Sequence, residues 1–169
     1  LQEVVPFLDG ALLAPGEMEA YMLPGVSTES STLLDHCIRA VEKSLTAGTH
    51  GLPLIGNGDW NDGMNRVGHL GRGESVWLGW FLLTVLQKIA PLCERTGDGT
   101  RAARFEGEAA RLATMLELAW DGDWYRRAYY DDGSPLGSAQ NDECKIDSIS
   151  QTWAILSGAA PLPRAERAM

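Results

Sequence analysis

Residues 51–79, GLPLIGNGDWNDGMNRVGHLGRGESVWLG, decide how the rest of the chain is read. An apolar step, Leu52-Pro53-Leu54-Ile55, meets glycines at positions 56 and 58, then a compact polar cluster, Asp59-Trp60-Asn61-Asp62-Gly63. More glycines follow at 68, 71 and 73 before Glu74-Ser75 opens a strongly apolar run. Two carboxylates and an indole on a glycine-punctuated loop between helical patterns mark a candidate site, because loops carry function while a scaffold positions them. Trp beside Asp also suits a sugar. The ring face stacks on C–H groups, and the carboxylate handles hydroxyls or the glycosidic oxygen. Ordinary turn chemistry competes with this, since Asn or Asp before Gly is a general turn signal. A calcium loop fails on spacing: counting from Asp59, Gly63 falls at the fifth place instead of the sixth. Leu70 then stands where a bidentate Glu belongs.

Working outward, the pattern is helical on both sides. Residues 1–26 show no sustained period and read as an irregular approach. Ser27 or Thr28 is the expected cap of a helix to about Ala47, with Leu33, Leu34, Cys37, Ile38, Val41 and Leu45 at helical spacing and Gly48 as the stop. Ser75 caps a second helix over about 76–94, with Trp77 and Trp80 among its core residues. Gly97 and Gly99 break the pattern before a third helix over about 100–119. Asp121-Gly122 turns the chain into the aromatic run Trp124 to Tyr130, and Asp132-Gly133 signals a short hairpin within 123–135. A fourth helix spans about 147–156, containing Trp153, and another starts at Arg164 after Pro161 and Pro163. Helices of similar length joined by alternately short and elaborate loops predict a layered all-α domain with those loops gathered at one end.

Composition bounds the class. The 169 residues suffice for one domain with a real core, and an apolar fraction of 44% with 22% charged residues is that of a globular chain. The net charge of −9, from 23 acidic and 14 basic side chains with no basic block, argues against a nucleic-acid surface. Cys37, Cys93 and Cys144 are widely spaced and read as buried, reduced thiols. His36, His50 and His69 lack metal spacing, and Arg66 and Arg72 read as solvated loop arginines. The run Val76 to Ala90 is short for a membrane span and carries Gln87 and Lys88, so it reads as a core helix. No signal peptide is visible. Without an initiator Met, and ending within a helical pattern, the chain is expected to be part of a longer one.

Four segments together, GLPLIGNGDWNDGMNRVG, GRGESVWLGWFL, WDGDWYRRAYYDDGSPLGS and NDECKIDSISQTWAILSG, resemble glycoside hydrolase family 94. These are inverting β-glycoside phosphorylases, and the likeness covers nearly all of residues 1–169. Within the family the segments are most similar to the phosphorylase-like regions of cyclic β-1,2-glucan synthases. The resemblance implies a fragment of an (α/α)6 toroid (six-hairpin glycosidase-like) with the active site at the mouth where long loops gather. It implies that Asp62 is the general acid. Asp59 and Trp60, with Asn61 between the indole and the acid, then correspond to the donor-sugar subsite. Glu143 is a candidate to reach the sugar from a second loop, although a charged helix start capped by Asp147 explains the same run. The partners implied are a β-glucan oligosaccharide, inorganic phosphate as co-substrate, and the rest of the parent chain. No metal or organic cofactor is required. The parent would be a bacterial inner-membrane protein with this region on the cytoplasmic side.

The chemistry agrees with one essential acid. Inverting hydrolysis needs an acid for the leaving oxygen and a base for water, whereas phosphate is already an anionic nucleophile. Burial beside Trp60 and a like charge at Asp59 are the influences expected to keep Asp62 in its proton-donating form. A hydrolase on the same toroid, with Glu143 as base, is one alternative. A non-catalytic glucan-binding part of a synthase is another. The isolated chain is expected to be inactive and to self-associate through exposed flanks.

Overall fold

The computed structural model describes residues 1–15, 17 and 20–169, which form two compact units, Leu1–Lys43 and Ser44–Met169. In the first, β1 (Val4–Asp9) pairs antiparallel with β2 (Gly25–Thr32), placing Val4 opposite Thr32 and Leu8 opposite Val26. The register slips between Pro6 and Leu8, where proline has no N–H to give the ladder. Helix α1 (Leu33–Ser44) follows at once and buries Leu34, Ile38 and Val41 at helical spacing. Phe7 of β1 stacks on His36 with ring centroids 3.8 Å apart, and the His36 ring reaches the Val5 carbonyl oxygen at 3.1 Å.

This corrects the expected irregular approach and the expected cap. Ser27 and Thr28 lie inside β2, and the Thr32 hydroxyl accepts the Asp35 N–H at 3.1 Å, so the helix starts later, at Leu33. The reason is physical: β2 pairs with a strand 16 to 28 residues upstream, and its Ser/Thr pattern reads locally as capping material. The parts of the expected irregular segment at Gly16, Met18 and Glu19 lie outside the described residues.

The second unit is built on a helical hairpin. Helix α2 (Val76–Arg95), preceded by the two-residue strand β3 (Glu74–Ser75), is joined by Thr96–Asp98 to α3 (Gly99–Glu117). Ser75 caps α2 as expected, its Oγ accepting the Leu78 N–H at 3.0 Å, and Asp98 caps α3 by accepting the N–H of Arg101 at 3.0 Å. A connection this short leaves the helices antiparallel neighbours. They approach closely at Gly79, where a Cβ would lie 2.8 Å from Leu116 Cδ2. Trp80, Leu86, Phe105, Leu116 and Tyr125 are fully enclosed in the core between them and the chain that follows.

That chain forms the hairpin read from Asp132-Gly133. Strands β4 (Ala128–Tyr129) and β5 (Pro135–Leu136) pair with each other, and β3 adds to the other edge of β4. Helices α4 (Ser148–Leu156) and α5 (Leu162–Ala168) close the unit, with α4 packed on α2. The described architecture is therefore five helices with two small sheets, helical as expected but with more β-structure than one hairpin. Only Cys93 is buried; Cys37 and Cys144 are exposed, which corrects the expectation of three enclosed thiols.

Candidate active site

The segment between Leu54 and Glu74 is a loop pinned at its base. Ile55 N–H donates to the Gly73 carbonyl at 2.9 Å and Ser75 N–H to that of Pro53 at 3.0 Å. Gly73 is required there, because a Cβ would fall 2.3 Å from the Val67 carbonyl oxygen. Farther out, the Asp131 carboxylate accepts the N–H groups of Leu70, Arg72 and Gly73 at 2.8–3.0 Å. Beneath the loop, Ile55, Val67 and Ala128 form a small apolar cluster with Met64, Tyr130 and Leu136 against it. At the loop's far end, the buried Glu74 carboxylate takes the N–H groups of His50 and Leu52 and faces His50 Nδ1 at 2.6 Å. The His50 ring stacks on Tyr129.

On this base sit the sequence-derived candidates, and the two acids fare differently. Asp59 points inward with its carboxylate enclosed. Arg127 grips it with two parallel bonds, Nη1 to Oδ2 at 2.7 Å and Nη2 to Oδ1 at 2.6 Å. Ser75 Oγ–H donates to Oδ2 at 2.6 Å, and the Asn61 N–H donates to Oδ1 at 3.2 Å. Burial is the largest single influence on Asp59 and works upward. The Arg127 hydrogen bond, the Ser75 hydroxyl, the Arg127 charge and the Asn61 amide outweigh it and hold the carboxyl below its ordinary range.

Asp62 opens a single 3-10 turn, Asp62–Met64, entered from Asn61 in an extended conformation. Asn61 and Asp62 are exposed, as is Trp60 at 73%, and the Trp60 ring lies 6.5 Å from that of Trp77. Among the described residues Asp62 makes no side-chain hydrogen bond or ion pair. The two influences expected on it are thus corrected. Trp60 does not bury it, and the Asp59 charge is taken up by Arg127. Glu143 is exposed on the Asp142–Ile146 loop. Its neighbour Cys144 adopts φ 51°, an unusual conformation for a non-glycine residue. Asp147 accepts the Ile149 N–H at 2.9 Å, the capping role weighed for this run. Trp77 and Trp80 are core as read, whereas Trp153 is half-buried, edge-on to Trp77 and Phe81.

Sequence reasoning missed Arg127. Its side chain is 1% exposed, and besides Asp59 its Nε faces Asp147 Oδ2 at 3.3 Å. The available signal was its alternation with Tyr125 and Tyr129, both enclosed. The buried Gln151 amide accepts the Tyr125 N–H at 2.8 Å and donates to the Tyr125 carbonyl at 2.7 Å, as a neighbouring strand would. Arg66 and Arg72 line a cavity of about 390 Å3 with His69, Tyr130 and Asp131, outside the Asp59–Arg127 network.

The model of the glycosyl hydrolase 94 superfamily, catalytic domain, matches residues 4–169. The chain belongs to this family. Within the glycosyl hydrolase 94 superfamily it is 49% identical over 171 aligned positions to cyclic beta-(1,2)-glucan synthase NdvB of Rhizobium meliloti (strain 1021). That alignment covers all of this chain and 6% of the relative. It is 41% identical to 3-O-beta-D-glucopyranosyl-beta-D-glucuronide phosphorylase of Paenibacillus borealis, over 85% of this chain and 19% of that protein. Solabiose phosphorylase of the same organism is 38% identical over 98% of this chain and 20% of the relative. The chain therefore spans at most about a fifth of the length of these relatives, within a carbohydrate-active family of phosphorylases and synthases.

Proposed function

We propose that this chain supplies the general acid for reversible, inverting phosphorolysis of β-1,2-glucosidic bonds, and that Asp62 is that acid. The observation that carries the reading is the loop itself. An exposed carboxylate stands on a 3-10 turn beside an exposed indole, on a base rigidly pinned to the core, in a family of phosphorylases and a β-1,2-glucan synthase. Asp62 would give its proton to the glycosidic oxygen as the C1–O bond breaks. Phosphate would attack C1 from the opposite face, and the product would be α-glucose 1-phosphate. The nucleophile needs no base, so no second carboxylate is required, and neither is a metal or organic cofactor.

In this reading Trp60 offers a stacking face to the donor sugar and Asn61 a hydrogen-bonding amide. Asp59, with both oxygens committed to Arg127, acts from beneath by holding the loop. Glu143 would contribute a second sugar contact, on a loop whose left-handed Cys144 is the kind of backbone outlier that gathers at ligand sites. The helices would form part of an (α/α)6 toroid, with the rest of the protein completing the phosphate and acceptor contacts. The likeness to NdvB is in keeping with a bacterial inner-membrane setting; that this region lies on the cytoplasmic side is part of the proposal. Helix α2 is long and apolar enough to cross a membrane by length and composition. Its packing against α3 and α4 supports a core helix instead.

The test is release of α-glucose 1-phosphate from β-1,2-gluco-oligosaccharides by the intact protein, with and without phosphate. Asp62→Asn should lower phosphate-dependent release by roughly 10²–10⁴-fold, the usual contribution of a positioned acid. Glucose release without phosphate would replace this reading with a hydrolase. Oligosaccharide binding that survives the substitution, with no turnover by the unsubstituted protein, would make the chain a glucan-binding part of a synthase.

A further inference from the structure

Arg127 ties together three segments that meet only in the folded chain. Its guanidinium holds Asp59 at the head of the DWND segment, touches Ser75 Oγ at 3.2 Å, and faces Asp147. Ser75 and Asp147 are the N-caps of α2 and α4. A lone guanidinium beside two helix N-termini would be repelled by the positive ends of both dipoles. It is tolerated because two carboxylates face it. The backbone from 126 to 137 is shaped around it: Gly137 sits at φ 74°, and a Cβ there would lie 2.8 Å from Arg127 Cβ and from its backbone N.

The link to Asp62 is short. The Asp59 oxygen that Arg127 Nη2 grips also accepts the Asn61 N–H, and the Asn61 carbonyl accepts the Met64 N–H that closes the 3-10 turn. Asp59 and Asp62 are the only carboxylates between Gly51 and Gly73. Among the described residues, the charged groups facing Asp59 are Arg127, immediately before β4, and, behind it, Asp147 at the start of α4. Glu74, next to the α2 cap, is committed to His50 and Leu52.

We infer that Arg127 is a positioning residue for the Asp62 acid: it orients the turn that presents Asp62 and cancels the Asp59 charge. This rests on the acid role proposed for Asp62. With Arg127 in place, Asp62 donates its proton on a fixed turn with no uncompensated anion behind it. Without it, Asp59 becomes an unpaired carboxylate three residues from the acid. An added anion favours the protonated form of its neighbour, so the alkaline limb of the activity profile moves to higher pH.

The experiment measures kcat, KM and the pH profile of kcat for phosphorolysis by the intact protein carrying Arg127→Met, Arg127→Lys or Asp59→Asn/Arg127→Met. Asp62→Asn runs alongside. Arg127→Met should lower kcat by roughly 10²-fold, the scale set by misplacing a catalytic group by about an ångström, with KM changed far less. Its alkaline limb should shift upward, and the double variant should bring the limb back. Arg127→Lys keeps the charge without the two-pronged grip, so it should lower kcat and leave the limb in place. It also serves if Arg127→Met does not fold. An unmoved limb in Arg127→Met, or an unchanged kcat in Arg127→Lys, would overturn the inference. Activity that survives Asp62→Asn would instead overturn the acid assignment, whatever Arg127 does.

Discussion

At the scale of single residues, the Asp59–Arg127 pair is the most consequential feature, because both side chains are enclosed and two hydrogen bonds join their opposite charges. Breaking a buried pair by removing one partner leaves an uncompensated charge and costs about 3–5 kcal/mol. Asp59→Asn should therefore lower the thermal midpoint of the intact protein well beyond the effect of a surface change. Acid sensitivity follows from the direction of the Asp59 shift. Its folded carboxyl sits below the ordinary value of 3.8, so the pair stabilises the fold above that value. The contribution is lost as pH falls from 3.8 through the lower folded value. Asp59→Asn should flatten this part of the stability profile, read from denaturant midpoints at stepped pH. Both acids of the loop stand out in the sequence, and the role proposed for Asp62 rests on the family resemblance. The difference between them is not. The partner that separates an inward Asp59 from an outward Asp62 lies 68 residues away, and no local pattern encodes that distance.

Elements show the same division between local and distant causes. The starts of α2 and α4 were legible because each cap acts within two or three residues, Ser75 on Leu78 and Asp147 on Ile149, and that of α3 because Gly97 and Gly99 break the pattern before it. The β4–β5 hairpin was legible because Asp132-Gly133 demands a turn, and Gly133 supplies it at φ 84°. Strand β2 was hidden because its partner is remote, and β3 because two residues give no periodicity. The closed base of the active-site loop depends on a backbone contact that leaves no room for a side chain. Gly73→Ala would drive its methyl into the Val67 carbonyl and the Gly68 Cα, 2.6 Å away. Backbone cannot yield there as a side-chain tip can. That substitution should open the loop and depress kcat, with protease susceptibility between Gly56 and Gly73 as the structural readout. Gly107→Ala offers the contrast. It sits inside α3 with nothing within 4 Å of the added methyl, and should stabilise the helix by about 0.5–1 kcal/mol.

For the molecule as a whole, the described surface carries more bare apolar side chains than scattered exposure explains. Leu12, Tyr21 and Leu23 are almost fully exposed in the first unit, and Leu118, Leu156 and Leu162 are each more than 60% exposed in the second. The 169-residue chain alone should therefore self-associate in sedimentation experiments despite its charge of −9. Leu118→Ser with Leu156→Ser should reduce that association without unfolding the unit. Family and helical class were legible at this scale because linked motifs cover the chain. The division at Lys43 was not, since nothing in composition marks it. One hydroxyl has a reach beyond its size. Ser75 Oγ receives the Leu78 amide of α2 and gives its own hydrogen to Asp59, which in turn receives the Asn61 amide. The amide protons of a helix and of the candidate-site loop thus share one lock. In deuterated solvent Leu78 and Asn61 should surrender their hydrogens in a single opening event, so the first turn of α2 cannot breathe without the site breathing with it.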